Sequence, residues 1–586
     1  MKRTAFTFIL LFAAVLAMAG NVTPDKARTL ASSFFTTTRS AAKVDLVWDG
    51  TDGLTRAASA PAFYVFNREG GGFVIISGED SAVPILGFSE TGSFQTEGMP
   101  ENIRHWFDSY TAQINYLRNT GEQQRSSGAA LWERAAREGI RSYSVVKRIA
   151  TPSWGQGSPF NNLCPNVDGD RSVTGCVCTA LCEVMFYHKW PLTTKGDLLP
   201  DYSYTTDKNN TQTITGHNLS TSYDWSKMKT SYKGSYTTEE ATAIATLMHD
   251  VGVMLESSYN PTGTGAYAES IPTAVIHYMD YDSSAYLAYR EEFSNKEWCD
   301  LIRNDIDAGL PVIYGGDGDG GGHEFVVDGY ATEDFFYVNW GWTGTDNGYF
   351  KISSFMLDKD YDFRFNISAV FGLKKNAGGK PVERLLYYVD NSYKGGITLS
   401  SGSFTKGKTV TVSVNNLCNY GEGTFVGQVA LGVLDWKGNI KQIFDTENLE
   451  LESQYGIGGT ISAYITNEPV LGDQLAVCYK GQNQSEWHVA RLEPYYTVYA
   501  VDAIPAFDYP AIWIDPTVVY KAGDVLDLRI INTSKPASSR AWYLDDKKLD
   551  ADITYVELPS AGKHTLRVTA KFGNNPQTLY QVINVQ

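Results

Sequence analysis

The sequence predicts an α+β protein followed by an all-β carboxyl-terminal part. Near the amino terminus, the capped-helix pattern "TPDKARTLASSFF" precedes short alternating strands such as "FYVFN" and "GFVIIS". A central block mixes helix and strand patterns and is rich in Trp, Gly and Cys. From residue 381 onward, short β-type runs recur with turn signals between them, which is typical of β-sandwich domains.

The first element is an export signal. The segment "MKRTAFTFILLFAAVLAMA" has basic residues at Lys2 and Arg3, an apolar run, and small residues at Ala17 and Ala19. This pattern predicts a signal peptide over 1–19 that is cleaved after Ala19. The apolar run is shorter than the roughly 20 residues that a membrane-spanning helix needs. We therefore expect a secreted protein, and the sequence leaves open whether it is retained at the cell surface.

Changes in composition divide the rest of the chain into five parts. They are a small α+β unit at 20–118, a basic connector at 119–148, a mixed block at 149–377, and two β-rich segments at 381–503 and 507–586. A polar, arginine-rich connector between folded units favours proteolytic cleavage there, between about Arg118 and Ala150. An ordinary exposed linker that contains a helix fits the same composition.

Charge and cysteine content exclude some classes of function. A net charge of −17 argues against nucleic acid or anionic lipid as the main partner. Seven cysteines in 586 residues are too few for a disulfide scaffold, and the odd number leaves at least one thiol unpaired. Cys418 and Cys478 could form a disulfide in the first β-rich segment or remain two free thiols.

Three cysteines cluster in "TGCVCTALCEVMFYHKWP". A helix from about Val177 to Lys189 would place Cys178 and Cys182 on one apolar face, as core residues. Cys176 instead follows a Thr-Gly pair at the helix start, where free amides and the helix dipole favour a thiolate. Cys176 is therefore the candidate nucleophile.

Metal binding is a weaker interpretation of the same residues. A zinc site of these three cysteines and His188 would need ligands from different faces of one helix, and His188 fits better as a packing residue at the helix end. The acidic glycine-rich stretches at 168–170 and 317–322 lack the bidentate Glu of a calcium-binding EF-hand, although calcium is left open. We expect no cofactor.

A base for the cysteine is predicted at His323. It opens "HEFVVDGYATEDFFYVNW", in which "EFVVDGY" and "FFYVNW" are predicted to be paired strands, and it follows a glycine-rich loop. Asn339 ends the second strand, where its side-chain carbonyl could accept the imidazole N–H, and Trp340 could shield that bond from water. The order Cys, His, Asn is that of papain-like enzymes.

The segments "SWGQGSPFNNLCPNVDGDRSVTGCVCTALCEVMFYHKWP", "GGHEFVVDGY" and "YVNWGWTGTDNGYF" closely resemble the streptopain family of papain-clan cysteine peptidases. The resemblance covers about 150–375, and residues 20–145 resemble the inhibitory prodomain of that family. It implies a papain-like catalytic domain with Cys176 as nucleophile and His323 as general base and acid. It further implies that Asn339 orients His323, that Gln156 contributes to the oxyanion hole, and that Trp340 shields the Asn-His pair. Cys178 and Cys182 depart from the usual pattern.

The resemblance implies a secreted bacterial cysteine endopeptidase made as a zymogen, which cleaves proteins and peptides through an acyl-enzyme and is inhibited by its own prodomain. One alternative is a surface-binding protein whose β-sandwich domains, expected to be immunoglobulin-like at the carboxyl end, are the functional part. Those domains could bind a surface, a glycan or a protein. Another alternative keeps the Cys-His-Asn site but uses it for transglutaminase or amidase chemistry.

Overall fold

The computed structural model describes residues 20–36, 42–50, 60–99, 101–120, 125–293, 295–316, 322–352, 367–387, 396–402, 406–434, 440–466, 474–492, 511–514, 520–531, 537–549, 555–572 and 575–586. The predicted signal peptide at 1–19 lies outside these residues, as does most of the glycine-rich loop at 317–322. Among the helices in the described part, none has the length and apolar character needed to cross a bilayer.

The amino-terminal unit combines helices with an antiparallel sheet, as the sequence predicts. Helix α1 begins after Thr23, whose hydroxyl accepts a hydrogen bond from the N–H of Lys26 at 3.2 Å, and Pro24 occupies the first helical turn. The elements of this unit are α1 (Pro24–Phe34), β1 (Val44–Trp48), β2 (Phe63–Arg68), β3 (Phe73–Ser77), β4 (Ile85–Ser89) and α2 (Glu101–Thr120), and the next helix along the chain, α3 (Arg125–Glu138), belongs to the connector.

The predicted connector at 119–148 is folded where it is described. It contains α3, a 3-10 turn over Gly139–Ser142, and strand β5 (Val145–Arg148). Trp132 of α3 is buried, and its indole N–H donates to the carbonyl of Ala82 at 3.0 Å. Tyr143 is also buried, with its ring 5.2 Å from that of Phe335 in the central block. The segment therefore packs against both of its neighbours.

The central block supplies helices and strands in alternation. They are β6 (Asn166–Val167), β7 (Asp170–Arg171), α4 (Cys176–His188), β8 (Tyr202–Thr205), β9 (Thr211–Ile214), α5 (Thr238–Met254), α6 (Ile271–Tyr278), β10 (Tyr286–Tyr289), α7 (Asn295–Asp307), β11 (Val312–Gly316), β12 (His323–Ala331), β13 (Phe335–Asn339), β14 (Gly348–Phe350) and β15 (Ile367–Phe371).

One antiparallel sheet crosses from the amino-terminal unit into the central block. Its order is β1-β2-β3-β4-β14-β13-β12-β11-β15-β10. The junction is the pair β4–β14, where Phe88 faces Tyr349 and Gly87 faces Phe350. The connector strand β5 pairs with the far end of β12, with Arg148 opposite Gly329. Cutting the chain in the connector would therefore leave the two units joined through the sheet.

Successive residues of the central strands pack on opposite faces of this sheet. On one face, Val326 belongs to the core formed with α4 and α5. On the other face, its neighbours Phe325 and Val327 belong to the core formed with α2 and α7. The amino-terminal helix α2 thus lies on the opposite side of the sheet from α4.

The first β-rich segment forms two sheets over a common core, as expected for a sandwich. Its strands are β16 (Leu385–Tyr387), β17 (Gly396–Gly402), β18 (Thr409–Asn419), β19 (Phe425–Leu434), β20 (Ile440–Leu451), β21 (Gly456–Tyr464), β22 (Gln474–Gly481), β23 (His488–Val489) and β24 (Arg491–Leu492). Cys418 lies on β18 and Cys478 on β22, in different sheets, and no disulfide joins them.

The last segment is also built from strands around a core of its own. They are β25 (Ala511–Ile512), β26 (Val525–Asp527), β27 (Ile530–Ile531), β28 (Ser539–Leu544), β29 (Lys547–Lys548), β30 (Tyr555–Glu557), β31 (Gly562–Phe572) and β32 (Asn575–Val585). The immunoglobulin-like topology of these segments remains a prediction.

Candidate active site

Cys176 is the first residue of α4, one position earlier than the helix start that the sequence predicts. The preceding Gly175 has φ 87°, and a Cβ there would lie 2.6 Å from the carbonyl oxygen of Thr264. Only glycine fits this position without strain, which explains the Thr-Gly-Cys order. Cys176 is partly exposed, whereas Cys178 and Cys182 are buried core residues, as predicted.

The protonation state of Cys176 differs from the expectation drawn from its helix position. Burial raises the pKa of the Cys176 thiol to about 11. The main-chain N–H groups of Glu324, Val177 and Cys176 favour the thiolate, but the Glu324 carboxylate opposes them. In this structure desolvation outweighs the helix dipole, so the thiol is protonated at neutral pH.

His323 is the first residue of β12, next to Glu324, whose main-chain N–H acts on the Cys176 sulfur. The imidazole is buried, with its ring near-parallel to those of Trp340 and Trp342 at centroid distances of 6.1 and 6.2 Å. Its Nε2 lies 3.0 Å from the main-chain carbonyl of Trp340. Because a carbonyl can only accept, Nε2 carries the proton. Burial lowers the pKa of His323 to about 4, so the ring is neutral.

Asn339 ends β13, and its side chain is engaged in a buried network. Its Nδ2 donates to the carbonyl of Pro152 at 2.7 Å and to Glu183 Oε2 at 3.0 Å. Its Oδ1, which the sequence predicts as the acceptor for the imidazole N–H, accepts from Asn347 Nδ2 at 2.9 Å. His323 Nε2 therefore bonds the main-chain carbonyl of Trp340, the residue after Asn339, and not the predicted side-chain oxygen of Asn339.

The remaining predicted residues border the same region. Trp340 is fully buried beside His323, and its indole N–H donates to the carbonyl of Asp346 at 3.1 Å. Gln156 is buried, and its main-chain carbonyl accepts from the N–H of Thr174 at 3.1 Å. Thr174 lies two residues before Cys176, so this bond holds the Gln156 segment next to the start of the nucleophile helix.

Glu183 is a site residue that the sequence argument missed. It lies within α4, fully buried, and accepts from the N–H of Trp154 at 2.9 Å as well as from Asn339. Burial raises the pKa of Glu183 well above its usual value. The signal was a lone acidic residue in the apolar run "ALCEVMF".

A second buried acid, Asp328 of β12, continues this network toward the connector. It pairs with Arg148 of β5 at 2.5 Å and accepts hydrogen bonds from the N–H and hydroxyl of Thr151. Thr151 in turn accepts from Asn339 Nδ2 at 3.2 Å. The end of the connector is thereby linked to the strand that carries His323 and to the side chain of Asn339.

The amino-terminal unit reaches the site from behind the sheet. The ring of Trp106 in α2 lies 5.8 Å from that of Trp340 and 5.4 Å from that of Phe325, both edge-on. The N–H of Gln95 donates to Asp346 Oδ1 at 2.7 Å. The residues beside His323 are thus packed directly against this unit.

Asp168 and His188, from the segments considered for metal binding, make protein contacts in the described part of the chain. Asp168, in the 168–170 stretch, lies in the turn between β6 and β7, and its carboxylate accepts from Asn210 Nδ2 at 2.9 Å. His188 ends α4 with Nδ1 3.2 Å from the hydroxyl of Tyr281, as a packing residue.

Cys176 begins α4, His323 begins the adjoining strand β12, and the amino-terminal unit packs behind that strand. This arrangement is the one that the sequence leads us to expect for a cysteine peptidase with a prodomain. Comparison with known proteins agrees. Residues 154–350 match the model of the Peptidase C10 family, and residues 19–114 match that of the Spi protease inhibitor. Streptopain of Streptococcus pyogenes is 33% identical over 311 residues, which cover 50% of this chain and 75% of streptopain. The chain belongs to the streptopain family of cysteine peptidases.

Two further comparisons involve other bacteria. The thiol protease/hemagglutinin PrtT of Porphyromonas gingivalis is 30% identical over 366 residues, which cover 60% of this chain and 41% of that protein. A solved fragment of prointerpain A from Prevotella intermedia is 28% identical with a TM-score of 0.46, covering 57% of this chain and 99% of the fragment.

Proposed function

We propose that this protein is a secreted endopeptidase that attacks peptide carbonyls with Cys176 and uses His323 as general base and acid. The observation that supports this most directly is the placement of Cys176 at the start of α4, with its sulfur beside the main-chain N–H of Glu324, the residue that follows His323. The substrates are proteins and peptides, and the prodomain is the intramolecular inhibitor.

In the proposed reaction, His323 takes the thiol proton and the Cys176 thiolate attacks the scissile carbonyl. The main-chain N–H of Cys176 and the side-chain amide of Gln156 stabilise the oxyanion. His323 then gives its proton to the leaving amine, which departs and leaves an acyl-enzyme. Water, deprotonated by His323, releases the acid and restores the thiol.

The present geometry fits the latent precursor. A neutral His323 whose Nε2 bonds the Trp340 carbonyl and a protonated Cys176 do not form the ion pair that the reaction needs. Removing the prodomain takes the ring of Trp106 away from that of Trp340, the residue whose carbonyl holds His323. We propose that His323 then exchanges the carbonyl of Trp340 for the side-chain oxygen of Asn339.

The nucleophile is tested by a matched pair of cysteine variants in the activated enzyme. Cys176→Ala should abolish casein hydrolysis, because no other thiol occupies the helix start, whereas Cys178→Ala should retain most of it. His323→Ala should be as inactive as Cys176→Ala, and Asn339→Ala weaker but measurable. Equal losses in the two cysteine variants, with folding intact by circular dichroism, would overturn the assignment. A wild-type enzyme that stays inactive after prodomain removal would favour the surface-binding alternative.

A further inference from the structure

A loop and a helix bring two histidines and an aspartate together outside the catalytic site. His217 lies in the loop after β9, and His249 and Asp250 are neighbours near the end of α5. One ligand atom from each residue lies within 4.8 Å of the other two. The sequence places these residues in unrelated elements, so only the fold reveals the cluster.

Two distances within the cluster are close to the edge length of a metal coordination tetrahedron, and the shorter one is also a hydrogen-bond contact between His249 and Asp250. Asp250 Oδ1 lies 3.3 Å from His249 Nδ1 and 3.6 Å from His217 Nε2. Ligand atoms at about 2.0–2.1 Å from a tetrahedral zinc ion are about 3.4 Å apart. The His217 distance is too long for a hydrogen bond, although the two imidazoles are stacked with centroids 5.5 Å apart. All three ligand atoms lie within 4.8 Å of one another, a spacing that a shared cation can bridge.

The carboxylate of Asp250 is oriented by hydrogen bonds to one of its oxygens, as is usual for metal-binding carboxylates. Its Oδ2 accepts hydrogen bonds from the hydroxyls of Thr221 at 2.6 Å and Tyr223 at 2.9 Å. These two donors leave Oδ1 facing the histidines. Such outer contacts fix the orientation of a ligand and tune its affinity for a metal. The Asp250 side chain is only 5% exposed, so it keeps this orientation.

The loop that carries His217 is fixed before any ion binds. The main-chain carbonyl of His217 accepts from the N–H of Leu199 at 2.9 Å, and the N–H of Gly216 donates to Asp201 Oδ1 at 2.7 Å. The side chains of His217 and His249 are 35% and 34% exposed. Solvent therefore has access to the open side of the cluster, which gives an ion a path in and leaves room for a water ligand.

We propose that His217, His249 and Asp250 bind one divalent transition-metal ion, with zinc the best fit. Two imidazoles and one carboxylate are ligands that zinc prefers, and water completes the tetrahedron. The ion would fasten the loop after β9 to α5, and α5 packs against α4, whose first residue is Cys176. Its role is structural, since the catalytic reaction proposed above does not use it.

The test uses the full-length Cys176→Ala chain, treated with a chelator, so that neither the nucleophile nor autolysis interferes. Calorimetric titration with zinc chloride should show about one tight equivalent, and zinc should raise the melting temperature. The double variant His217→Ala/His249→Ala should bind zinc at least about a hundredfold more weakly and should not be stabilised. The matched control is His277→Ala, which removes a histidine that lies 3.8 Å from Asp197 with its side chain 60% exposed.

The absorption spectrum of bound cobalt(II) shows whether the metal binds at the histidine cluster or at cysteine thiols. Bound to two imidazoles and a carboxylate, it should give visible d–d bands without a sulfur-to-cobalt charge-transfer band. Tyr223→Phe, which keeps the ring and removes one bond to Asp250, should weaken zinc binding about tenfold. Unchanged zinc affinity in the double variant, or a thiolate charge-transfer band in the parent, would overturn the proposal. If the double variant does not fold, His217→Gln in the exposed loop decides by the same titration.

Discussion

At the scale of single residues, buried polar groups connect the nucleophile helix to the strand that ends at Asn339. Glu183 accepts one hydrogen bond from the Trp154 N–H and one from Asn339 Nδ2, and both donors lack access to water. An acid in this position determines where Asn339 points. It therefore acts on the site through Asn339.

Removing Glu183 should cost stability as well as activity. Glu183→Ala leaves the buried Trp154 N–H unpaired and takes one of three acceptors from Asn339 Nδ2, so we expect a loss of about 1–3 kcal/mol in the free energy of unfolding. Glu183→Gln keeps an acceptor for Trp154 and should lose less. Denaturant unfolding of the precursor measures both, with exposed Glu97→Ala as control. Equal stability of Glu183→Ala and the control would contradict the role given to this network.

We expect Asp346 to make prodomain binding depend on pH. Burial raises the pKa of Asp346 to about 6, although the Gln95 N–H of the prodomain favours its charged form. When the prodomain leaves, the carboxyl regains water and its pKa returns toward about 3.9. The bound state then holds a proton that the free enzyme releases, so prodomain affinity falls as pH rises from about 4 to about 6 and is flat above.

Inhibition by an added prodomain fragment should therefore be about tenfold stronger at pH 5 than at pH 7.5, because pH 5 lies about one unit below the pKa of the bound carboxyl and about one unit above that of the free carboxyl. The inhibition constant measured against a peptide substrate at both pH values reports it. In Asp346→Asn enzyme this contribution disappears. A wild-type and an Asp346→Asn enzyme with the same pH dependence would assign the effect to other groups.

At the scale of elements, local patterns predicted well what depends on neighbours in sequence. The α4 helix spans Cys176–His188 against a prediction of 177–189, and the hairpin of β12 and β13 forms as expected. Pairings between segments that are distant in the sequence could not be predicted from local patterns. Nothing near Phe88 indicates that β4 joins β14, and nothing near Trp106 indicates that its ring packs against Trp340.

Helix α3 is the clearest case of tertiary context overriding composition. Its basic, polar sequence indicated a linker, yet Trp132 is buried against the amino-terminal unit and Arg134 pairs with Glu333 of the central block at 3.0 Å. That ion pair is about one-third exposed and contributes little. The buried indole is the larger effect, since a Trp→Ala change in a core costs about 3–5 kcal/mol.

We therefore expect the inhibitory unit to include α3. A fragment of residues 20–142 should inhibit the activated enzyme at least about tenfold more strongly than a fragment of residues 20–118, because only the longer one buries Trp132. Inhibition constants against a peptide substrate compare them. In the longer fragment, Trp132→Ala should behave like the truncation, whereas exposed Glu133→Ala should not. Equal inhibition by both fragments would show that α3 is a linker and does not contribute to inhibition.

Arg118 bears on where activation occurs. Its guanidinium donates to the carbonyls of Ala60, Pro61 and Gly78 and contacts Glu79, so it is built into the prodomain. A protease needs an extended, accessible segment. Cleavage of Cys176→Ala precursor by a trace of active enzyme should thus fall after α3 and before Ala150, with amino-terminal sequencing as the measurement. A product beginning at residue 119 would contradict this.

At the scale of the whole molecule, the first β-sandwich is docked on the catalytic unit. Arg384 is buried, and its guanidinium donates to the carboxylate of Glu292 and to the carbonyl of Leu287. Arg491 of β24 bonds the main-chain carbonyl of Glu292 at 2.7 Å and pairs with Glu297 at 2.7 Å. These contacts lie beside β10, which β15 and β11 separate from β12 and His323. The sandwich thus supports one edge of the sheet, remote from the strand that carries the histidine.

This geometry separates stability from catalysis. Deleting 381–586 should leave kcat/KM for a small peptide within a few-fold of the full-length enzyme, because the cut falls after Gly379, whose N–H bonds Asp282 within the catalytic unit at 3.0 Å. The melting temperature should fall.

In the full chain, Arg384→Ala should lower the free energy of unfolding by about 3–5 kcal/mol, since it leaves the Glu292 carboxylate buried without its ion-pair partner. Deleting only 493–586 is the control, because it keeps Arg384 and Arg491 in place. Calorimetry and peptide hydrolysis on the same samples measure stability and activity separately. A folded 20–380 enzyme that cannot cleave even a short peptide would show that the sandwich shapes the cleft itself.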